Sequence, residues 1–248
     1  MFCSIKKQTE VYKINENPFI SIIERIFREK YNYTDDLAQL HELVENIKNK
    51  ELYTHIGILG KDDRVCPFIQ DFHEFVDKSD EFTKLYHEFI KKNIIPLLMN
   101  NSDESNEKEN KLVIQKTPNI RISFPQYAAI GRNQDEDCET IIGYHKDADF
   151  GHHLNEMNFI IPITKMYESN SVHYETEIGS ETYENLELEP NQMFRGYLNQ
   201  LHHYNVKNKT GQTRISFDIR VIPYDKYMEN LEYFKGTKFE LGKYYIVL

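Results

Sequence analysis

The sequence predicts an α+β fold, with helices first and antiparallel strands after, on three observations. Apolar residues recur at helical spacing through the first hundred positions. A run without apolar period, NNSDESNEKENK at 100–111, then reads as a solvated loop that interrupts the chain. Beyond it, apolar residues come in short β-branched or aromatic segments bounded by Pro, Gly, Asn and Asp. The 248 residues therefore divide into a mainly helical portion, 1–111, and a strand-rich portion, 112–248. The length fits one large domain or two small ones and suffices for a substantial core, and one integrated domain is expected.

Taken in order, the first helix is announced by Asn17 as N-cap and Pro18 at the first helical position, followed by the stripe Phe19, Ile20, Ile22, Ile23, Ile26 and Phe27. A second helix after Thr34 puts Leu37, Leu40, Val44 and Ile47 on one face, and a third after Ser79 does so with Phe82, Leu85, Tyr86, Phe89 and Ile90. His73 with Glu74 and His87 with Glu88 lie on helices without the His-Glu-x-x-His spacing that sets two imidazoles one turn apart, and they read as surface or boundary residues. The segments LVIQKT, NIRISFP, ETIIGYH, EMNFIIPIT, SVHYETE, MFRGYLN and TRISFDIRVIP read as strands of a sandwich or barrel.

Composition narrows the function. Forty acidic against thirty basic residues, a formal charge of −10, disfavour a nucleic-acid partner. Cys3, Cys66 and Cys138 are odd in number and far apart, which argues against a disulfide scaffold or a zinc finger and for a reducing cytoplasm. No apolar run matches a signal peptide or the ~20 residues of a membrane span, so no membrane partner is expected. There is no internal repeat, Gly-rich phosphate loop or nucleophile elbow. Seventeen Tyr and fifteen Phe supply an aromatic core without naming a function.

The chemistry concentrates in GYHKDADFGHHLNEMNF, 143–159. His145 and Asp147 are two apart, so in an extended segment both side chains share a face. They supply two corners of the two-His-one-carboxylate triad that holds Fe(II) with open positions, and the third ligand must be a histidine from elsewhere. Among ten histidines such a pair arises readily by chance, so context decides. That context is LHHYNVKNKTGQTRISFDIR, 201–220, where His203 precedes Arg214 by eleven residues and Ser216 follows two further on. An arginine offers a two-pronged fork for a carboxylate, and Arg214 and Ser216 share a strand face.

His145-Lys146-Asp147, His203 and Arg214-Ile215-Ser216 together resemble the pattern of the Fe(II)- and 2-oxoglutarate-dependent oxygenases. The phrases YHKDADFGHHLNEMNFIIPIT and HYNVKNKTGQTRISFDIRVIP are similar to the branch named after a streptomycin-biosynthesis oxygenase, and the resemblance spans about residues 112–223. It implies a double-stranded β-helix, or jelly roll, with the helical portion packed on it. It also implies Fe(II) held by His145, Asp147 and His203, with 2-oxoglutarate chelating the iron and its far carboxylate held by Arg214 and Ser216. Dioxygen is the oxidant, succinate and CO2 are released, and a small polar metabolite such as a sugar, amino acid or biosynthetic intermediate is hydroxylated.

The resemblance and the spacing to Arg214 favour His203 over His202, whose side chain must point to the opposite face. Asn158, on the strand after the ligand loop, is expected to contact 2-oxoglutarate or substrate. His152 and His153 either touch substrate or face water. Arg121 and Tyr127 either reach the same cavity or, as surface arginines more commonly do, meet an acid. Arg220 shares a face with Arg214, and a salt bridge is a simpler role for it than an acidic substrate. A cupin-like jelly roll drawing on His145, His152 or His153, and Glu156 to bind or isomerise a carbohydrate is a second reading. A protein hydroxylase whose helices recruit a polypeptide is a third. Nothing in the sequence sets the oligomeric state.

Overall fold

Hydrophobic periodicity and cap chemistry account for the helical elements. The computed structural model describes residues 9–45, 66–99, 111–125 and 140–248. Its helices in the first part are α1 (Phe19–Tyr31), α2 (Leu40–Glu45), α3 (Pro67–Lys78), α4 (Asp80–Phe89) and α5 (Ile95–Met99), the last two joined by a π-helical turn at Ile90–Ile94. Helix α1 starts one residue later than expected, with Pro18 in the cap position. Asn17 still serves it: its Oδ1 accepts from the Phe19 N–H at 3.3 Å, while its amide donates to the carbonyls of Pro162 and Pro190. Asn32 ends the helix in the left-handed region at φ 53°, a conformation Asn tolerates. Ser79 caps α4, its hydroxyl accepting from the Phe82 N–H.

The second predicted helix is corrected. It opens with a 3-10 turn, Leu37–Gln39, capped by Asp36 rather than Thr34, because the Asp36 carboxylate reaches the Ala38 N–H at 2.8 Å. Ile47, Cys3, Cys138, Tyr127 and residues 100–110 of the polar run lie outside the described residues.

The strands are β1 (Thr9–Lys13), β2 (Leu112–Gln115), β3 (Asn119–Ser123), β4 (Thr140–His145), β5 (Met157–Pro162), β6 (Val172–Glu175), β7 (Tyr183–Asn185), β8 (Gln192–Gly196), β9 (His203–Val206), β10 (Arg214–Pro223) and β11 (Tyr245–Val247), with α6 (Tyr224–Glu229) and α7 (Leu231–Phe234) before the last. They pair antiparallel in two sheets. The larger runs β1-β8-β5-β10-β2-β11, with β3 also on β10; the smaller runs β4-β9-β6-β7. All seven strand segments expected from the sequence are present. The first portion is not only helical, however, because β1 pairs with β8 at the sheet edge.

Strand β10 organises the layers. Its odd-numbered residues Ile215, Phe217, Ile219 and Val221 pack into one core with α1, α3 and α4, where the rings of Phe19, Phe72 and Phe82 surround Phe217. Its even-numbered residues Arg214, Ser216, Asp218 and Arg220 face the other way and are also buried. On that second side, Ile160 and Phe194 of the larger sheet meet Val172 of β6 in another apolar cluster. The helices therefore cover one face of the larger sheet and the smaller sheet approaches the other, so the polar stripe of β10 looks into the space between sheets. No helix among the described residues is long and apolar enough to cross a membrane.

Candidate metal centre

His145 closes β4 and His203 opens β9, and the two are direct cross-strand partners. Register shifts in this pairing bend the strands beside the site. The strand ends at His145, yet Lys146 keeps extended dihedrals (φ −108°, ψ 146°), so the two-residue alternation carries on to Asp147 at the start of a 3-10 turn, Asp147–Phe150. The turn is tied to the chain before β9 by Asp147 N–H to the Leu198 carbonyl, 3.1 Å.

The result is a compact trio. One ligand atom from each of His145, Asp147 and His203 lies within 4.8 Å of the others, the one such group of three among the described residues. Asp147 Oδ1 stands 3.7 Å from His145 Nε2 and 3.6 Å from His203 Nε2, and the two imidazole centroids are 4.4 Å apart. His203 Nδ1 lies 3.1 Å from the Leu201 carbonyl; donating there leaves Nε2 as a lone pair facing Asp147. His202 points away: its Nδ1 pairs with Glu175 at 3.3 Å and its ring stacks on Tyr144 at 4.3 Å.

Electrostatics prepare the trio for a cation. Burial pulls the His203 pKa down to about 4, which keeps the imidazole neutral and able to ligate. Burial would raise the Asp147 pKa, but the Arg220 guanidinium foremost, with His145, His203 and His152, holds it well below the usual carboxylate range. Its Oδ2 accepts from Arg220 Nη2 at 2.8 Å and from Asn158 Nδ2 at 2.9 Å, so Oδ1 is the oxygen turned to the imidazoles. Arg220 also pairs with Glu156 at 3.1 Å and Asp218 at 3.0 Å. Arg220 thus touches three buried carboxylates, Asp147, Glu156 and Asp218, the last of which also meets Arg121 at 3.7 Å. Two imidazole nitrogens and one carboxylate oxygen are a donor set suited to Fe(II).

The structure places the other expected residues among the described ones as follows. Arg214 and Ser216 line the same polar face of β10 as Arg220. Arg214 is 4% exposed and its Nε has no hydrogen-bond partner among the described residues. Burial foremost, with Arg121 nearby, lowers its pKa to about 10 against the opposing pull of Asp218. Arg121 lies opposite Ser216 in the β3–β10 register and reaches Asp218 at 3.7 Å. The Asn158 amide nitrogen is taken by Asp147, and its buried Oδ1 has no hydrogen-bond partner among the described residues. His152 Nδ1 meets Glu156 at 3.1 Å, and His153 packs its ring on Tyr233 and Phe234. Neither joins the trio, nor does Glu156, so the cupin-like ligand set does not form.

Two members of the surrounding network carried no sequence signal of their role. In the sequence Glu156 figures only as a ligand of the cupin-like alternative, and Tyr245, whose hydroxyl donates to Glu156, sits on a three-residue strand far down the chain.

Fold and site together describe an α+β protein with a His-Asp-His cluster that could hold a metal ion. No family model matches the chain. Over 228 residues it is 25% identical to the streptomycin biosynthesis protein StrG of Streptomyces griseus, a match covering 88% of this chain and 96% of that protein. Among solved structures it is similar to SnoK, a non-heme alpha ketoglutarate dependent carbocyclase from nogalamycin biosynthesis, at TM-score 0.49 and 9% identity over 98% of this chain and 92% of that one. It is also similar to the nickel complex of the non-heme monooxygenase ThoJ, at TM-score 0.42 and 11% identity over 88% and 74%.

Proposed function

We propose that the protein is an Fe(II)- and 2-oxoglutarate-dependent dioxygenase that hydroxylates a small polar metabolite, on a jelly roll of the branch named after a streptomycin-biosynthesis oxygenase. The observation that carries this reading is the meeting of His145, Asp147 and His203, drawn from two separate segments, with their ligand atoms within 4.8 Å. Likeness to StrG along nearly its whole length supports a biosynthetic substrate. The two antiparallel sheets that bracket the site support the jelly roll. The reading sets the enzyme in the cytoplasm, where a free buried thiol such as Cys66 stays reduced.

In this reading His145, Asp147 and His203 hold the iron. Arg214 and Ser216 hold the far carboxylate of 2-oxoglutarate, since a buried guanidinium with an unpartnered Nε is completed by a carboxylate. Iron, 2-oxoglutarate and dioxygen supply, when bound, the oxidation of an unactivated C–H bond coupled to release of succinate and CO2. The protein's share is to orient the ligands, to keep His203 neutral and Asp147 charged, and to limit water between the sheets.

Anaerobic titration with Fe(II) and then 2-oxoglutarate tests the proposal. A weak charge-transfer band near ~500 nm is expected when a keto acid chelates ferrous iron in an open facial site, and it should vanish in His145→Ala. Iron binding without the band would remove 2-oxoglutarate from the reading; no iron binding would sink it altogether.

A further inference from the structure

Asp147 has two oxygens, and the structure treats them differently. Oδ2 accepts two hydrogen bonds, from Arg220 Nη2 and Asn158 Nδ2, which occupies its two lone pairs. Oδ1 alone is left to face His145 and His203. A carboxylate free to turn would present both oxygens to a cation or swing away from it; here rotation would break two buried hydrogen bonds.

Arg220 is itself held. It is 4% exposed, its Nε stands 3.1 Å from Glu156 Oε1 as an ion pair outside hydrogen-bonding geometry, and its Nη1 lies 3.0 Å from Asp218. Glu156, fully buried, is anchored in turn by the hydroxyl of Tyr245 and by His152 Nδ1. Tyr245 is fixed in register opposite Gln115 on β2. Such a cluster costs much desolvation, and apolar replacement of buried ion pairs is often neutral or stabilising, so stability alone is a weak rationale for it.

We infer that Arg220, held by Glu156 and Tyr245, is a positioning residue that fixes Asp147 as a one-oxygen metal ligand. The inference rests on the proposed metal centre. Through it, the last strand of the described chain sets the denticity of a ligand nearly a hundred residues earlier. One-oxygen ligation by Asp147, with two imidazoles, leaves the remaining positions of the ion open for cosubstrate and oxidant.

Co(II), titrated into the metal-free protein, provides a test independent of turnover. Its affinity and its visible ligand-field spectrum are read in the wild type, Tyr245→Phe, Arg220→Gln and Arg220→Lys, with the Tm of each metal-free protein recorded. The expected result is a loss of affinity of roughly 10- to 100-fold in Arg220→Gln, a smaller loss in Tyr245→Phe, an altered spectrum in both, and partial recovery in Arg220→Lys. If the folded variants lower Tm but keep the wild-type affinity and spectrum, the network is structural only and the inference is wrong, while the metal centre stands. If the wild type does not bind Co(II), both readings fall. Should Arg220→Gln not fold, Tyr245→Phe decides alone, since it removes a single oxygen.

Discussion

At the scale of the residue, His145 and His203 meet because they stand opposite each other on neighbouring strands, and Asp147 joins because one extended residue separates it from His145. The second relation was legible in the spacing; the first was not, since cross-strand register is a property of two distant segments. Arg214 shows the same division. Its spacing from His203 is written in the chain, but its burial with an unpartnered Nε among the described residues is visible only in three dimensions, where Asp218 on the same face of β10 is engaged by Arg220 and Arg121. Replacing Arg214 with Lys keeps the charge and loses the fork. On the proposed function, the expected cost of about 1–3 kcal/mol raises the 2-oxoglutarate concentration needed for half-maximal binding by roughly 5- to 150-fold. Titration of the iron-loaded protein under anaerobic conditions reads it directly, and an unchanged midpoint would remove Arg214 from the cosubstrate site.

At the scale of the element, β10 explains why helices and site can share one sheet. Strict alternation in RISFDIRV sends Ile215, Phe217, Ile219 and Val221 into the helical core and Arg214, Ser216, Asp218 and Arg220 to the site. The pattern is plain in the sequence, although only burial of both faces tells it apart from an amphipathic edge strand. Strands β1, β7 and β11 were not legible, and β9 entered only as the extended segment around His203: β7 and β11 have three residues each, and β1 (TEVYK) is an edge strand with no apolar run. Gly196 on β8 gives an element-level prediction. It is a register partner of Thr9 on one side and Asn158 on the other, and a Cβ there would lie 2.5 Å from the buried ring of Phe194. Gly196→Ala is expected to cost about 1–3 kcal/mol through overpacking, read as a lower urea midpoint with an unchanged slope. A neutral result would mean that the Phe194 ring has room to turn.

At the scale of the whole molecule, one apolar cluster contains Phe19, Phe72, Phe82 and Phe89 of the helices and Ile120, Phe159 and Phe217 of the larger sheet. Tyr86 of α4 adds a polar tie, its buried hydroxyl donating to the Gln115 carbonyl of β2 at 2.8 Å. The helical portion and the strand portion are proposed on this basis to fold as one integrated domain. Unfolding should be a single transition, with helix and aromatic signals coincident, and Phe217→Ala should lower its stability by about 3–5 kcal/mol as a whole. Two separated transitions, or a Phe217→Ala variant that loses only its helical signal, would show two independent units.

What the sequence determined by itself was local. It carried the order of helices and strands, the shared face of His145 and Asp147, the eleven-residue step from His203 to Arg214, and the motifs that resemble the 2-oxoglutarate oxygenases. These follow from periods of 2 and 3.6 residues and from cap chemistry, which act over a few positions. The tertiary structure decided which oxygen of Asp147 is free, that His202 turns to Glu175 and Tyr144, that Asn158 and Arg220 grip Asp147, and that Tyr245 reaches Glu156. Each of these is a contact between segments whose separation along the chain carries no period. Sheet order and register, selected by burying the apolar faces together, choose such partners.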